Sequence, residues 1–346
     1  MKIPEISHVS QMWLTRAQQK MDGKTKPLGS LGRLEEIACQ IVAIQETLEP
    51  QLDRVGIAVF AGDHGIVEEG VSLYPSEVTA QMVKNFLSGG AAISVLADQH
   101  HADLVVVDVG VNEEFSSHPG LILQKVRRGS RNFLREKALT REEVEEAMEC
   151  GMRVARQLAS SHELLIAGEM GIGNTTSATA LFAALTGIAV ADLVGSGTGV
   201  RGEQLVHKQE VIEQALSLRK YDGNDVVSLL SAFGGLEIAA MVGFYLEGAA
   251  LRRVLLVDGF IATVAFALAE RMCSAVRDYA FLAHLSEERG HRRMVEYLGM
   301  RPILQLGMRL GEGSGAAVAI PILQSAVHLL NKMASFEEAG VSGPRE

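Results

Sequence analysis

Two spacings of hydrophobic residues alternate along the chain, one typical of helices and the other of buried strands. The stretch LGRLEEIACQIVAIQETL repeats its apolar residues at helical spacing, which places on one face Leu34, Ile37, Ile41, Ile44 and Leu48. The run RVGIAVFAG, from Arg54, is almost continuously apolar and ends in a glycine turn. Such a run is typical of a strand that is buried on both faces of a sheet. The pattern therefore predicts an amphipathic helix followed by a core strand.

The same alternation continues through most of the chain. Further strands are predicted in DLVVVDVGV, HELLIAGEM and RRVLLVD, and they alternate with helical segments. Gly89 and Gly90 divide two of these helical segments, SEVTAQMVKNFL and AAISVLADQ. At the start of TREEVEEAMECGMRVARQLAS, Thr140 can cap the helix while Glu143 completes a capping box. Strands that alternate with helices predict an α/β fold, in which helices cover both faces of a parallel sheet.

Length and charge limit the kinds of partner that the chain can have. The 346 residues suffice for one large α/β domain or for two domains, and the 47% that are hydrophobic can form a sizeable core. A formal net charge of -10 argues against nucleic acid and against an anionic membrane surface as partners. A small anionic ligand is still compatible with that charge, because backbone amides at helix N-termini can hold it.

Cysteine usage and the N-terminal stretch both predict a cytoplasmic protein. Cys39, Cys150 and Cys273 are far apart and show no CxxC spacing, as expected of reduced thiols. The N-terminal stretch MKIPEISHVSQMWLTRAQQK lacks the apolar region of a signal peptide. The uncharged segment 173–191 is the nearest candidate for a membrane span, but it opens with the polar run GNTTS and ends at Asp192. We therefore expect a buried helix there and no membrane partner.

Two glycine-rich loops are candidates for holding a phosphate group. GEMGIGNTTSATA follows a predicted strand and opens a helix, so that free amides near Gly173, Asn174 and Thr175 could face a ligand. It is not a Walker A motif, because the required lysine is absent, and a plain strand-to-helix turn is the alternative. The second loop, GSGTGVRGEQ, leads into a helix that carries His207 and Lys208. A lysine near the start of a helix opposes the helix dipole, which a bound anion would relieve; a solvated surface lysine is the alternative.

Several polar side chains follow the predicted strands, where ligands bind in parallel sheets. Asp63 and His64 in AGDHG could form a metal pair, but adjacent side chains usually point apart and no third ligand has a recognisable spacing. A structural turn or a hydrogen-bonding role is therefore favoured. Asp258 in VDGF could order a ribose or cap the next helix. FLAHLSEERGH presents His284, Ser286 and Glu287, but the chain contains no GxSxG elbow that would support a nucleophilic serine.

Glu312 stands alone among glycines and apolar residues in LGMRLGEGSGAAVAIPIL. It could cap the helix that begins near Gly315, where the helix dipole favours a carboxylate. Alternatively, burial would raise the pKa of its carboxyl towards neutrality, as a general base requires. Glu169 in GEMG is a second acid in a similar setting. Two acids at converging strand ends indicate a reactive site more strongly than either alone.

At these motifs the sequence resembles a known enzyme family. Seven segments resemble, in the same order, those of the nicotinate-nucleotide–dimethylbenzimidazole phosphoribosyltransferases of cobalamin biosynthesis; they are KPLGSLGRLE, AGDHG, PSEVTAQMVKNFLSGGAAISVLA, GEMGIGNTT, GSGTGV, VDGF and LGEGSGA. The resemblance spans residues 24–332. It implies a Rossmann-like parallel sheet with helices on both faces, in a large domain of residues 50–305. A smaller helical domain would combine both chain ends, residues 1–49 and 306–346. The family also implies a homodimer without a metal or an organic cofactor.

The resemblance implies a reaction and a set of site residues. The phosphoribosyl group of nicotinate mononucleotide would pass to 5,6-dimethylbenzimidazole, giving α-ribazole 5'-phosphate and nicotinate with inversion. Glu312 would be the general base and Glu169 the second active-site acid. The phosphate and the ribose would be held by Gly171, Gly173, Asn174, Thr175, Lys208, Asp258 and Ser286. The benzimidazole-type base would be bound by Glu77, Gln81 and Gly311; Glu77 lies where the family varies, so the preferred base stays open.

Two other functions are compatible with the same motifs. A phosphorylase-type riboside transferase would use inorganic phosphate as its nucleophile, and Glu312 would then have no azole proton to remove. A non-catalytic nucleotide-binding regulator would keep the glycine loops but would tolerate glutamine at residue 312. Release of nicotinate from a metal-free mixture of the protein, nicotinate mononucleotide and 5,6-dimethylbenzimidazole would distinguish the transferase from these two functions.

Overall fold

The computed structural model describes residues 2–197 and 199–342. Its six strands are β1 Val55–Gly62, β2 Asp103–Gly110, β3 Leu121–Leu123, β4 Leu164–Met170, β5 Val254–Val257 and β6 Ala280–Leu282. The helices are α1 Gln11–Asp22, α2 Arg33–Gln45, α3 Glu77–Leu87, α4 Ala92–Gln99, α5 Arg141–Ala159, α6 Asn174–Thr186, α7 Val190–Leu193, α8 Glu203–Leu218, α9 Val226–Phe233, α10 Leu236–Ala250, α11 Phe260–Met272, α12 His291–Leu298, α13 Ser314–Lys332 and α14 Phe336–Ala339. Two 3₁₀ helices span Gly65–Glu69 and Ser274–Tyr279.

The strands form one parallel sheet in the order β3-β2-β1-β4-β5-β6, which confirms the predicted α/β class. The central strand β1 pairs with β2 on one side and with β4 on the other. Every residue of β1 is buried, as its unbroken apolar run predicts. The strand order reverses between β1 and β4, and in open parallel sheets ligands bind beyond the carboxyl ends of the strands at such a reversal.

The ends of the helices follow local sequence signals. Thr140 and Glu143 form the predicted capping box at the start of α5, in which each side chain accepts a hydrogen bond from the other residue's backbone amide. The break at Gly89 and Gly90 separates α3 from α4, also as predicted. Helix α2 ends at Gln45, earlier than its apolar pattern suggests, because Glu46 adopts a left-handed conformation with φ 53°.

Helices from the two ends of the chain pack together. Helix α2 lies between α1 and α13, and the Lys24 ammonium group donates to the Met333 carbonyl at 2.6 Å. Lys26 and Glu35, both buried, form an ion pair of 2.8 Å beneath the KPLGSLG loop. The proposed boundaries of a separate smaller domain stay a prediction. Residues 1 and 343–346 of that domain lie outside the described residues.

Among the described residues, α13 is the one helix that is long and apolar enough to cross a membrane, judged by length and composition alone. Slightly more than half of its apolar window, 56%, is buried inside the molecule. Residues 173–191, the nearest candidate for a membrane span in the sequence, largely form the buried helix α6. Both helices contribute to the protein core, so neither carries an argument for a membrane span.

Candidate active site

A cavity of about 510 Å³ opens at the carboxyl ends of β4, β5 and β6, a size that suits small-molecule ligands. Its wall combines the β4–α6 turn, the residues after β5 and β6, one face of α3 and the loop before α13. Of the predicted site residues, those that line it are Glu169, Gly171, Asn174, Thr175, Asp258, Ser286, Gly311 and Glu312. The structure thus brings together segments that are distant in the sequence.

Glu312 lies in the cavity wall in an unusual backbone conformation. It has φ 65°, between Gly311 at 89° and Gly313 at 87°, so three successive residues are left-handed. The turn is also tightly packed, because a Cβ atom added at Gly168 would come within 2.1 Å of the Glu312 carbonyl oxygen. Left-handed conformations of non-glycine residues are costly and are kept where the surrounding structure fixes them. The packing of the turn against β4 therefore fixes where this side chain points.

The Glu312 carboxyl has a sparse polar environment. The residue is 6% exposed, and its Oε2 accepts a hydrogen bond from the Ile93 amide at 3.4 Å, at the start of α4. Burial raises the pKa of this carboxyl above its ordinary value; the Ile93 hydrogen bond opposes the rise, and the charge of Asp258 adds to it. A carboxyl with a raised pKa takes up a proton more readily than an exposed glutamate does.

Asp258, rather than Glu312, caps helix α13. Its Oδ2 accepts from the Gly313 amide at 3.1 Å, and its Oδ1 accepts from the Ala316 amide at 2.8 Å. Amides at the start of a helix lack partners within the helix, and a carboxylate there is stabilising. The capping alternative for Glu312 is therefore wrong. Asp258 does cap a helix, but this helix is α13 and not the next helix along the chain, α11, as predicted.

Glu169 lies next to Glu312 at the end of β4. Its carboxylate accepts hydrogen bonds from the Asn174 side-chain amide and from the Glu312 backbone amide. Burial raises the pKa of this carboxyl well above its ordinary value, and the charges of Asp258 and Glu237 add to the rise. Gly311 leaves room for it, since a Cβ atom there would come within 2.3 Å of Glu169 Oε1. The two acids predicted from sequence are thus neighbours in one desolvated wall.

The two glycine-rich loops meet through Lys208. Gly173 is the N-cap of α6 with φ 96°, and Thr175 in its first turn accepts a hydrogen bond from Lys208 Nζ at 2.9 Å. Lys208 is 1% exposed in the second turn of α8, so the alternative of a solvated surface lysine is wrong. Burial lowers the pKa of its ammonium group to about 8, and the charge of Glu288 opposes that shift.

His284 and Ser286 have separate partners. His284 Nε2 lies 3.6 Å from Asp258 Oδ1, whereas Ser286 Oγ accepts from the Glu288 amide at 3.2 Å. The Ser286 amide in turn donates to Nδ1 of His291 at 2.8 Å. These contacts give Ser286 no histidine base for a nucleophilic role, in agreement with the sequence-based preference.

Asp63 and His64 lie beneath the cavity and point to different partners. Asp63 Oδ2 accepts from the Asn112 amide at 2.8 Å, and His64 Nε2 pairs with Glu237 Oε1 at 2.7 Å in a fully buried contact. Within residues 2–197 and 199–342, no group of three or more His, Cys, Asp or Glu side chains is arranged to hold a metal ion. The favoured hydrogen-bonding role of AGDHG agrees with these contacts.

Helix α3 faces the cavity with residues that the sequence analysis did not select. Glu77 and Gln81, predicted to bind the base, are exposed, and the cavity wall instead contains Val78 and Met82 of the same helix. The apolar pair has helical i, i+4 spacing, which was the available signal for this face. Glu288 was also missed, since its exposed neighbour Glu287 was singled out. No local pattern distinguishes these two acids.

Comparisons with known proteins agree on one family. A family model described as Phosphoribosyltransferase matches residues 6–341. The nicotinate-nucleotide–dimethylbenzimidazole phosphoribosyltransferase of Geotalea uraniireducens is 48% identical over 341 residues, covering 98% of this chain and 97% of its own length. The protein of the same name from Dechloromonas aromatica is 49% identical, with 98% of each chain covered. A crystal structure of CobT from Thermus thermophilus superposes with a TM-score of 0.93 at 46% identity, covering 96% of this chain and all of that one.

Proposed function

Since the chain belongs to the family of nicotinate-nucleotide–dimethylbenzimidazole phosphoribosyltransferases, we propose that it transfers the phosphoribosyl group of nicotinate mononucleotide to 5,6-dimethylbenzimidazole. Glu312 is the general base of this reaction. The product is α-ribazole 5'-phosphate, which belongs to the nucleotide-loop branch of cobalamin biosynthesis.

The reaction exchanges one glycosidic bond for another. The bond between C1 of the ribose and the nicotinate nitrogen breaks, and its electron pair neutralises the pyridinium charge of the leaving group. One benzimidazole nitrogen forms the new bond to C1 from the opposite face, so the configuration inverts. The other benzimidazole nitrogen loses its proton to the Glu312 carboxylate. Atoms and charge balance without a further reactant.

The observation that carries this proposal is the environment of the Glu312 carboxyl. It is buried in the cavity wall, has a raised pKa and accepts a hydrogen bond from the Ile93 amide. A weakly solvated carboxylate with its pKa nearer neutrality is a better proton acceptor than an exposed one. The apolar side chains of Val78 and Met82 in the same cavity suit a flat heterocycle.

Glu169 and the glycine loops have complementary roles in this proposal. Positive charge develops on the ribose as the nicotinate bond breaks, and a nearby buried carboxylate stabilises that charge. The position of Glu169, which accepts a hydrogen bond from the Glu312 amide, supports this role. The Asn174 and Thr176 amides at the start of α6 already donate to backbone carbonyls, so the proposed donors for the 5'-phosphate are the Thr175 amide and Lys208. Asp258 acts indirectly, since both of its carboxylate oxygens accept from α13 amides.

The proposal is tested by measuring nicotinate release in metal-free buffer, with and without 5,6-dimethylbenzimidazole. Wild-type protein should release nicotinate only when the base is present. Glu312→Gln should fold and bind both substrates but lose roughly 10²–10⁴-fold in turnover, the scale of a general base. Glu287→Gln, a change at an exposed acid, is the matched control. Undiminished turnover in Glu312→Gln would remove the base assignment, and base-independent release would contradict the transferase reaction.

The family resemblance also implies a homodimer in the cytoplasm, which we include in the proposal. Tyr74 and Leu310 at the cavity rim are more than half exposed, at 52% and 58%. Contact with a second copy would cover such apolar side chains. Light scattering on the purified protein measures the mass in solution, and a monomer at working concentrations would contradict this part.

A further inference from the structure

The segment 195–197 of the second glycine-rich loop is held from three sides. The Gly195 carbonyl accepts from Lys208 Nζ at 3.4 Å, and the Gly197 amide donates to Glu288 Oε1 at 2.9 Å. The Gly197 carbonyl accepts from the exposed Arg309 guanidinium at 3.4 Å. A cation therefore holds each of the two carbonyls, and an anion holds the amide. The conformation of the segment depends on all three charged side chains.

Glu288 is buried, at 7% exposure, although its two sequence neighbours Glu287 and Arg289 are exposed. Its own amide donates to Ser286 Oγ, which connects it to a second residue of the cavity wall. The glycine opposite has no room for a side chain, because a Cβ atom at Gly195 would come within 2.0 Å of Glu288 Oε1. A buried charge is costly unless it is paired and hydrogen-bonded, and the Gly197 amide and the charge of Lys208 supply this compensation for Glu288.

On the side away from Glu288, Gly197 packs against Thr175 and Lys208. A Cβ atom there would come within 2.6 Å of Thr175 Oγ1 and 3.1 Å of Lys208 Nζ. The segment is thus packed between Glu288 on one side and the Thr175–Lys208 pair on the other. Any displacement of the Glu288 carboxylate frees the segment to move against the residues that hold the phosphate.

We propose that Glu288 is a positioning residue of the nucleotide subsite, whose carboxylate fixes the segment 195–197 against Lys208 and balances the charge of the lysine. This inference rests on the proposed function, because it assumes that Lys208 meets the 5'-phosphate. In this proposal Glu288, which also lines the cavity, acts through Lys208 and the loop.

The charge balance makes a specific prediction about pH. The ammonium group of Lys208, with its pKa lowered to about 8, is close to losing its proton at physiological pH, and the Glu288 charge opposes that loss. The other charged groups near the segment are Arg309, which contacts Gly197 from the cavity side, and the exposed neighbours Glu287 and Arg289. Without the Glu288 charge the pKa of Lys208 falls further, so the lysine is neutral over a wider range above neutrality.

The experiment compares wild type, Glu288→Gln and Glu288→Ala by isothermal titration calorimetry with nicotinate mononucleotide. The glutamine variant keeps an acceptor for the Gly197 amide but removes the charge, whereas the alanine variant removes both. At about pH 6.5 Lys208 stays protonated, so Glu288→Gln should bind within about threefold of wild type. At about pH 8.5 its affinity should be about tenfold below wild type, since each pKa unit changes the charged fraction tenfold. Glu288→Ala should bind more weakly at both values.

Two controls separate this role from general damage. Nicotinate riboside, which lacks the phosphate, should bind all variants with little dependence on pH, and Glu287→Gln should follow the wild type. The proposal would be overturned if the affinity for nicotinate mononucleotide changed with pH in the same way in wild type and Glu288→Gln. It would also be overturned if the variants lost as much affinity for the riboside as for the mononucleotide. Turnover of the wild type shows whether only the role of Glu288 or also the proposed transferase function is rejected. An active wild type with parallel profiles rejects only the role of Glu288, whereas a wild type that neither binds nor converts the mononucleotide rejects the proposed function as well.

Discussion

Asp258 and Glu312 are connected through a single backbone amide. Asp258 Oδ2 accepts a hydrogen bond from the amide of Gly313, the residue that directly follows Glu312. The same aspartate raises the pKa of the Glu312 carboxyl by its charge. Asp258 thus contributes to both the position and the proton affinity of Glu312, beside the packing against β4 and the burial of the carboxyl.

Replacing Asp258 by asparagine should therefore alter both properties. The variant loses one acceptor for the α13 amides, which should lower the free energy of unfolding by about 1–3 kcal/mol. It also removes a negative charge that opposes ionisation of Glu312, so the pKa of that carboxyl should fall. The acid limb of the turnover profile should consequently move to lower pH. Denaturant unfolding and a pH–rate profile measure the two effects, with the exposed Asp98→Asn as control. An unchanged acid limb would contradict the electrostatic link.

Glu312→Gln should stabilise the protein while it removes activity. In the folded state the pKa of Glu312 is raised, so above that pKa the native protein carries a buried charge that the unfolded chain solvates better. Each unit of the rise costs about 1.4 kcal/mol at high pH. Glutamine can keep the Ile93 hydrogen bond without the charge.

Thermal unfolding at two pH values measures this stabilisation. The melting temperature of Glu312→Gln should exceed that of the wild type at about pH 8, and the difference should shrink as the pH falls towards the ordinary glutamate value. The difference in melting temperature shrinks because residue 312 is neutral in both proteins under acidic conditions. A difference that stays constant with pH would mean that the carboxyl is not held in a raised-pKa state.

Met82→Ala should weaken binding of the benzimidazole more than binding of the nucleotide. Met82 lines the cavity from α3 and is partly buried, so its loss removes apolar contact with a flat ring. We expect the KM for the base to rise about tenfold, the equivalent of about 1.4 kcal/mol, with little change in the KM for nicotinate mononucleotide.

The same assay compares the two faces of α3. Glu77→Gln tests the sequence-based assignment of the exposed face, and Lys84→Gln on that helix is the control. A base KM that rises in Glu77→Gln and not in Met82→Ala would return the base-binding role to Glu77.

Much of the fold could be predicted from the spacing of apolar residues. The runs that became β1, β2, β4 and β5 are locally distinctive, and the capping box of α5 lies within four residues. The strand order could not be predicted in this way, because the pairing of β1 with both β2 and β4 depends on contacts between distant segments. Strand β3, with three residues, is too short to leave a pattern.

The candidate site was predictable only where a motif is local. The glycine turn before α6 and the isolated Glu312 are visible in the sequence, and both line the cavity. The contact between Asp258 and Gly313 spans 55 residues, so sequence alone leaves open which acid caps α13. The choice between Glu287 and Glu288 depends on the direction of a loop after β6, which no periodicity specifies.

The cap on α13 also has a consequence for how the protein is made. Helix α13 leaves the ribosome after Asp258 and Glu169. Until it folds, Asp258 lacks the Gly313 and Ala316 amides and Glu169 lacks the Glu312 amide. Buried acids without partners are strongly destabilising. A chain cut short before residue 313 would therefore be marginal in stability and open to cellular proteases. The same bonds that orient the Glu312 carboxyl then act as a check that synthesis has passed α13.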